Sequence, residues 1–180
     1  SYWDVEGEER VDPGELRALL QRETLTEAGS PPMPDPTPGL DLTVALCTRE
    51  RPDDLRRALL SLRTQTDTGF NTVVVDNAPA GTATRDVVAE VGLPGCAYVI
   101  EPTPGLSNAR NTALAAVTSA VVAWMDDDET ADAQWVRRLR QGFGHPSAPA
   151  AVSGLMLPAE LETEAQVRFE QYGGFNKGRG

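Results

Sequence analysis

The chain has 180 residues, a formal net charge of −11 at pH 7 and a composition that is 40% hydrophobic and 24% charged. A chain of this length buries roughly two-thirds of its unfolded surface, so we expect a folded domain with a core. The net negative charge argues against nucleic acid as the main partner, because a negatively charged surface repels a phosphate backbone. No stretch approaches the roughly 18 consecutive apolar residues that a membrane-spanning helix needs.

The two cysteines, Cys47 and Cys96, indicate a reducing environment. They are too few and too far apart for a disulfide scaffold or for paired zinc-ligand spacing, and no signal peptide is recognisable. We therefore expect a cytoplasmic protein. The chain starts at Ser1 and ends in "GGFNKGRG", which suggests a fragment of a longer protein.

Three segments follow one another along the chain. A weak helical pattern within residues 1–29, "DPGELRALLQRE", predicts an N-terminal helical arm. Residues 30–39, "SPPMPDPTPG", contain five prolines and predict an extended linker. We expect the folded domain to occupy residues 40–180.

Within residues 40–180, short apolar runs alternate with amphipathic helical patterns. The predicted strands, in chain order, are "LTVALC", "NTVVVD", "CAYVI", "AVVAWM" and "AAVSGLM". The predicted helices between them are "PDDLRRALLSLRTQ", "TRDVVAEV", "SNARNTALAAV" and "DAQWVRRLRQGF". The third helix is expected to have Ser107 as its N-cap, with Ala109, Ala113, Ala116 and Val117 facing the core. Continuously apolar strands indicate a sheet covered on both faces, so the pattern predicts an α/β fold, a three-layer α/β/α sandwich with a mostly parallel sheet.

In open sheets of this kind, ligands bind beyond the carboxyl ends of the strands. Four consecutive acids, Asp126 to Glu129, stand at such an end, after the fourth predicted strand. Crowded carboxylates repel one another unless a cation is bound, and Mg²⁺ and Mn²⁺ prefer such oxygen ligands. The alternative is a solvated turn before a helix whose N-terminus tolerates acids. A calcium-binding helix-loop-helix is excluded, because Ala131 and Arg137 stand where that loop needs Gly and Glu.

Other strand ends offer groups that can hold a nucleotide. Asp76 can accept the N3–H of uracil or the N1–H and N2–H of guanine, or it can belong to an Asx-type turn in which Asn77 and Pro79 end the strand. Thr48, Arg49 and Arg51 can hold a ribose and a diphosphate, or they can be surface residues at a helix start. Arg110 can reach the same site, it can pair with the acids at residues 126–129, or it can be a structural residue on the helix surface. No P-loop or dinucleotide-binding fingerprint follows any predicted strand, which argues against an ATPase or an NAD-binding protein.

Four segments in this order, "TVALCTRERPDDLRRALLSLRTQT", "NTVVVDNAP", "PGLSNARNTAL" and "VVAWMDDDE", resemble the nucleotide-sugar-binding half of family 2 glycosyltransferases, inverting enzymes of the GT-A fold. The resemblance runs from Leu42 to Gly154, and its specificity lies in the ordered set. It implies transfer of a sugar, with inversion, from a nucleoside-diphosphate sugar of the UDP or GDP type to an acceptor hydroxyl. Acceptors of such enzymes are often lipid-linked or polysaccharides, which leaves contact with a membrane surface open.

The resemblance also implies roles for individual residues. Thr48, Arg49 and Asp76 match the positions that hold the nucleoside. Asp126 and Asp128 match the Asp-x-Asp that binds Mg²⁺ or Mn²⁺, with Asp128 the expected direct ligand. The remaining nucleotide-binding candidates are Arg51, Arg110, Asp126 and Asp127. By contrast, Glu129 is expected to be an ordinary solvated acid. Asp127 has two alternatives, a nucleotide-binding residue or a second solvated acid.

One part of the family pattern is missing. Inverting transfer needs a carboxylate base that takes the proton of the acceptor, and the family supplies it well downstream. No acid follows Glu170, and the acids just before it belong to a predicted amphipathic helix. We therefore expect the base beyond Gly180 and a domain that is truncated at its C-terminus.

Two other functions remain open from the sequence alone. The Asp-x-Asp-x-Thr arrangement of Asp126, Asp128 and Thr130 resembles the nucleophile loop of haloacid-dehalogenase-type phosphatases, with Asp126 as nucleophile and Asp128 as acid and base. That family places the loop after its first strand, whereas three strand-helix units precede it here. The other alternative is a nucleotide-binding domain without catalytic activity.

Overall fold

The computed structural model of the chain describes residues 39–172. The predicted N-terminal arm, almost all of the predicted linker and the last eight residues lie outside this range. The chain divides into two compact units, one of residues Met33–Val152 and the other of Ser1–Pro32 together with Ser153–Gly180.

The unit of Met33–Val152 alternates strands with helices, as the sequence predicts. Its strands are β1 (Leu42–Thr48), β2 (Asn71–Asn77), β3 (Cys96–Glu101) and β4 (Val121–Asp126). Its helices are α1 (Pro52–Arg63), α2 (Ala83–Val91), α3 (Leu106–Ala116) and α4 (Trp135–Phe143). In the other unit, the described part contains α5 (Glu164–Tyr172). Among residues 39–172, no helix combines the length and the apolar character needed to cross a membrane.

The strands form one parallel sheet in the order β3-β2-β1-β4. The central strand β1 is buried along almost its whole length, whereas the outer strand β3 is largely half-buried or exposed. The register pairs Thr48 with Asp76 and Cys47 with Asp126, so the carboxyl ends of three strands lie at the same edge. The predicted parallel α/β sheet is confirmed.

The predicted fifth strand, "AAVSGLM", is wrong. Residues 150–156 are not in a strand, and most of their side chains are exposed. Only Val152 packs against the core of the sheet unit. An apolar run interrupted by Ser153 and Gly154 resembles a buried strand in composition, but it lacks the β-branched continuity that holds a strand in a parallel sheet.

Helices cover both faces of the sheet and complete the predicted three layers. Helices α1, α2 and α4 pack on one face in a single apolar cluster that includes Leu46, Leu59 and Val136. Helix α3 packs on the other face through Ala109 and Ala113. Because both residues are small, the backbone of α3 can approach the sheet closely. Ala116 was expected to face the core but is exposed, since it is the last residue of the helix.

The start of α3 also differs from the prediction. The helix begins at Leu106, one residue before the predicted cap Ser107, and its N-cap is Gly105 without a side-chain cap bond. Gly105 has a φ of 134°, a conformation that glycine tolerates and other residues avoid. Its carbonyl accepts the N–H of Ala109 and so opens the helix. The glycine turn, and not a serine cap, therefore sets the position of α3.

Candidate functional site

The carboxyl end of β1 lies at the point where the strand order reverses. The chain passes from β1 to β2 and β3 on one side and then returns to place β4 on the other side of β1. In open α/β sheets, ligands bind in the crevice at such a reversal. Both the acidic run after β4 and the segment Thr48–Arg51 after β1 stand at this crevice.

Two of the four acids are joined to the end of β1. The hydroxyl of Thr48 donates to Asp127 Oδ2 at 2.6 Å, and both side chains are buried. Arg51 Nη1 lies 3.3 Å from Asp127 Oδ1 and 3.2 Å from Asp128 Oδ2. These two carboxylates raise the pKa of Arg51 above its ordinary value. The first helix start and the acidic run are thus held together by one charged network.

Asp126 faces the other side of the sheet. It is in register with Cys47, and its Oδ1 lies 3.7 Å from Arg110 Nη2 on helix α3. The guanidinium carbon of Arg110 stands 5.6 Å from the ring centre of Trp124, within the range of a cation–π contact. Since alternate strand residues point to opposite faces, consecutive acids at the end of β4 meet different arginines.

Glu129 folds back onto the start of the acidic run. Its Oε2 accepts the backbone N–H of Asp126 at 3.0 Å, and the side chain is partly buried. Burial raises the pKa of Glu129 above its ordinary value. The expectation of an ordinary solvated acid is therefore wrong for Glu129, and it is also wrong for Asp127, which is only 7% exposed. The turn buries these two acids because each has a hydrogen-bond donor within reach.

Asp76 is completely buried at the end of β2. Its Oδ2 accepts the hydroxyl of Tyr98 from the neighbouring strand β3 at 2.7 Å. Burial, followed by the hydrogen bond to Asp76, raises the pKa of Tyr98 to about 12. The tyrosine is therefore a neutral hydrogen-bond donor at physiological pH.

The residue after Asp76 anchors the loop between β3 and α3. Asn77 belongs to β2 and is buried, so it does not act as a turn residue. Its Nδ2 donates to the carbonyl of Thr103 at 2.8 Å, and its Oδ1 accepts the N–H of Gly105 at 2.8 Å. On helix α3, the hydroxyl of Thr112 donates to Glu101 at the end of β3 and lowers the pKa of that carboxyl. Glu101 is thus held against helix α3.

The backbone is strained two residues after Thr48 and two residues after Asp76. Glu50, after β1, has a φ of 54°, and Ala78, after β2, has a φ of 51°. Neither residue is a glycine, and such conformations cluster at ligand-binding positions. One hydrogen bond connects the two loops, from the N–H of Ala80 to Glu50 Oε1 at 2.8 Å.

The predicted residues fall into separate groups around this edge. Thr48, Arg51, Asp127 and Asp128 form one network, and Arg110 pairs with Asp126 in another. Asp76 lies in register with Thr48 but is bonded to Tyr98. Arg49 is exposed at the same strand end, and no side-chain partner for it is found among residues 39–172.

Sequence reasoning missed Tyr98 and Asn77. The apolar run that contains Tyr98 predicts only a strand, although Tyr98 stands two positions before Ile100, the register partner of Asp76 in β3, and therefore on the same face. The sequence indicates Asn77 only as a turn residue. Its position, directly after a buried acid at a strand end, was the available signal.

A divalent cation such as Mg²⁺ needs several oxygen ligands. In the part of the chain that the structure describes, no group of three or more His, Cys, Asp or Glu side chains is arranged to hold a metal ion. Asp126 and Asp128 are exposed carboxylates at the crevice. Mg²⁺ is usually held by one or two carboxylates together with phosphate oxygens and water. These residues fit a cation that binds together with a diphosphate, and they do not form a closed structural metal site.

Residues 43–166 match the family described as Glycosyl transferase family 2, and the match covers more than half of the chain. The chain belongs to glycosyl transferase family 2. The predicted family resemblance is confirmed, and the alternative of a haloacid-dehalogenase-type phosphatase loses its basis.

Curated relatives of this family 2 chain include a pre-mycofactocin glycosyltransferase of Mycobacterium tuberculosis, which is 34% identical over 147 residues. The aligned region covers 77% of this chain and 30% of the relative. The chain therefore spans about a third of the length of the curated relatives that it matches.

Solved structures share the fold of the family 2 chain. A mannosyltransferase from Pyrobaculum calidifontis in complex with GDP-Man and Mn²⁺ has a TM-score of 0.57 and 22% identity, covering 74% of this chain and 41% of that one. S. aureus TarS in complex with UDP has a TM-score of 0.53 and 20% identity, covering 58% of this chain and 32% of that one. At these identities the likeness concerns the fold, which is the predicted GT-A type.

Proposed function

We propose that this chain is the donor-binding part of a metal-dependent, inverting glycosyltransferase. The observation that carries the proposal is the meeting of Thr48, Arg51, Asp127 and Asp128 at the strand-order reversal of a family 2 domain. A crevice at this place in an α/β sheet is where a nucleotide binds in related architectures. The donor is a nucleoside-diphosphate sugar.

The nucleoside is proposed to bind at the ends of β1 and β2. Thr48 and Arg49 offer a hydroxyl and an exposed guanidinium beside the register partner Asp76. Asp76 supplies a carboxylate for the donors on the base edge. Similar solved structures are described in complex with UDP, UDP-GlcNAc or GDP-Man, which supports a nucleotide-sugar ligand of the UDP or GDP type.

The diphosphate is proposed to lie near the acidic run with a bound Mg²⁺ or Mn²⁺. Asp128 is the proposed direct metal ligand and Asp126 the second carboxylate. A solved structure of similar fold holds Mn²⁺ together with GDP-Man. When bound, the cation neutralises part of the negative charge that develops on the leaving diphosphate. Arg51 and Arg110, which pair with the acids, supply further positive charge for phosphate oxygens.

Buried Asp127 is proposed to have a structural role at the site. It accepts the Thr48 hydroxyl and faces Arg51, so it fixes the nucleoside-binding strand end relative to the metal-binding turn. A carboxylate that already has these partners has fewer lone pairs free for a ligand. We therefore assign Asp127 to holding the nucleotide-binding residues in place.

The reaction itself needs an acceptor and a base. In an inverting transfer, the acceptor oxygen bonds to the anomeric carbon while the bond from that carbon to the diphosphate breaks, and a carboxylate takes the acceptor proton. We propose that this base belongs to the part of the relatives' length that the chain does not span. The acceptor is proposed to be a hydroxyl of a lipid-linked sugar or of a polysaccharide. In isolation the chain is then a nucleotide-binding domain that transfers little or no sugar.

A binding titration tests the proposal. We expect UDP or GDP to bind the 180-residue chain in the presence of Mn²⁺ and to bind at least about tenfold more weakly after chelation. Asp128→Ala is expected to abolish this dependence on the metal. Asp41→Ala is the matched control, because Asp41 is an exposed acid directly before β1, at the opposite edge of the sheet.

Binding that is absent, or that is the same with and without Mn²⁺ in the wild-type chain, would sink the proposal. Equal loss of binding in Asp128→Ala and Asp41→Ala would contradict the assignment of Asp128. Release of phosphate from simple phosphate esters, with an aspartyl-phosphate on Asp126, would instead favour a phosphohydrolase.

A further inference from the structure

One oxygen of the buried Asp76 carboxylate has no hydrogen-bond partner. Asp76 is 0% exposed, and Oδ2 accepts the hydroxyl of Tyr98, whereas Oδ1 has no partner among the described residues. Buried carboxylate oxygens almost always have a donor, because an unmet acceptor loses its hydration without compensation. An unpaired buried acceptor at the ligand-binding edge of the sheet indicates a missing ligand donor.

Tyr98 determines which oxygen stays free. It reaches Asp76 from β3, where Tyr98 is in register with Val74, two residues before Asp76 on the same face of the sheet. Its hydroxyl remains protonated at physiological pH, because burial and the nearby carboxylate raise its pKa to about 12. The phenol donates to Oδ2, and Asp76 therefore has one oxygen, Oδ1, left for a ligand.

A single free oxygen discriminates between the two bases that a carboxylate can read. Uracil offers one donor, N3–H, with a carbonyl on each side. Guanine offers two adjacent donors, N1–H and N2–H, and a carboxylate satisfies both only when both of its oxygens are available. With Oδ2 occupied by Tyr98, one guanine donor is left poorly paired, at a cost of roughly tenfold or more in affinity.

We propose that Tyr98 is a specificity-determining residue that makes the site selective for uracil, so that the donor is a UDP-sugar. This inference rests on the proposed function, in which Asp76 contacts the base. Similar folds are described with UDP and with GDP-Man, so the fold leaves the choice between the two bases open. The choice comes from the Tyr98–Asp76 pair of this chain.

The base reaches Asp76 only when neighbouring atoms move aside, because the carboxylate has no exposed surface. The loops on either side contain Glu50 and Ala78, both with positive φ, and one hydrogen bond from Ala80 to Glu50 joins them. Residues with such sparsely populated φ values cluster at ligand clamps and switch regions. These loops are the segments that we expect to move when the base enters.

Three diphosphates that differ only in the base test the inference by calorimetric titration with Mn²⁺ present. UDP is expected to bind the wild-type chain at least about tenfold more tightly than GDP. IDP lacks the N2–H of guanine, so it is expected to bind the wild-type chain at least as tightly as GDP. In Tyr98→Phe both carboxylate oxygens are free, so the UDP preference is expected to fall by about threefold or more and GDP to overtake IDP.

Tyr172→Phe is the matched control, because Tyr172 is an exposed tyrosine on α5 and its hydroxyl is not expected to affect the base. Circular dichroism of each variant establishes that it is folded. If Tyr98→Phe does not fold, the relative affinities of the wild-type chain for UDP, IDP and GDP still test the proposed preference for uracil.

The outcomes separate the inference from the proposed function. Tighter binding of GDP than UDP, or a UDP preference unchanged in folded Tyr98→Phe, overturns the role of Tyr98 while leaving a nucleotide-binding domain. Failure of all three diphosphates to bind overturns both the inference and the proposed function.

Discussion

At the scale of single residues, the acidic run shows how four adjacent carboxylates acquire different roles. Asp127 is buried against Thr48, Asp128 and Asp126 are exposed beside arginines, and Glu129 caps a backbone N–H. The sequence predicted that these acids need positive charge nearby, because crowded carboxylates repel one another. It did not predict which acid is buried, since that depends on the hydroxyl of Thr48, 79 residues away in the chain.

The buried pair gives a prediction about stability. Thr48→Val keeps the shape of the side chain but removes the hydroxyl that donates to Asp127, so the free energy of unfolding is expected to fall by about 1–3 kcal/mol. Thr64→Val is the control, because the Thr64 hydroxyl bonds at an exposed position and its loss is expected to cost less than about 0.5 kcal/mol. Urea unfolding measures both. Equal losses in the two variants would show that the buried bond adds nothing.

At the scale of elements, periodicity predicted the strands and helices that have a continuous apolar face. Helix α1 buries Leu55, Ala58, Leu59 and Leu62, which recur at helical spacing on one face of the predicted segment. The predictions were wrong where contacts between distant parts of the chain determine the local structure. The apolar run at residues 150–156 has no strand partner, and the start of α3 is fixed by a glycine turn that Asn77 holds from another strand. Local patterns do not contain such long-range hydrogen bonds.

Asn77→Ala tests the connection between β2 and the β3–α3 loop. The variant loses the side-chain bonds to Thr103 and Gly105, so we expect a loss of about 1–3 kcal/mol in the free energy of unfolding. Amide exchange at Gly105 is also expected to accelerate, because its N–H loses its acceptor. Asn71→Ala, at the exposed start of the same strand, is the control. Unchanged exchange at Gly105 in Asn77→Ala would contradict the assigned bond.

At the scale of the whole molecule, the fold and the family were within reach of the sequence, whereas base selectivity was not. The ordered set of strand-end motifs predicted the family that residues 43–166 match. In the selectivity that we propose, the choice between uracil and guanine depends on which oxygen of Asp76 is free, and Oδ2 is bonded to a tyrosine on another strand while Oδ1 is unpaired. Net charge acts at the same scale, because a net charge of −11 on 180 residues makes the compact state self-repulsive.

This charge leads to a prediction that separates general screening from a specific cation. NaCl is expected to raise the unfolding temperature of the wild-type chain and of Asp128→Asn, because ions shorten the range of charge repulsion to about 10 Å at 0.1 M. MgCl₂ at the same ionic strength, with UDP present, is expected to give a further rise in the wild-type chain, since a ligand that binds only the folded state stabilises it. Asp128→Asn is expected to lose this further rise, whereas Asp41→Asn at the opposite sheet edge keeps it. Differential scanning fluorimetry measures the unfolding temperature of each chain in each salt. An equal effect of NaCl and MgCl₂ on the wild-type chain would mean that divalent cations only screen the acidic surface and that Asp128 holds no metal.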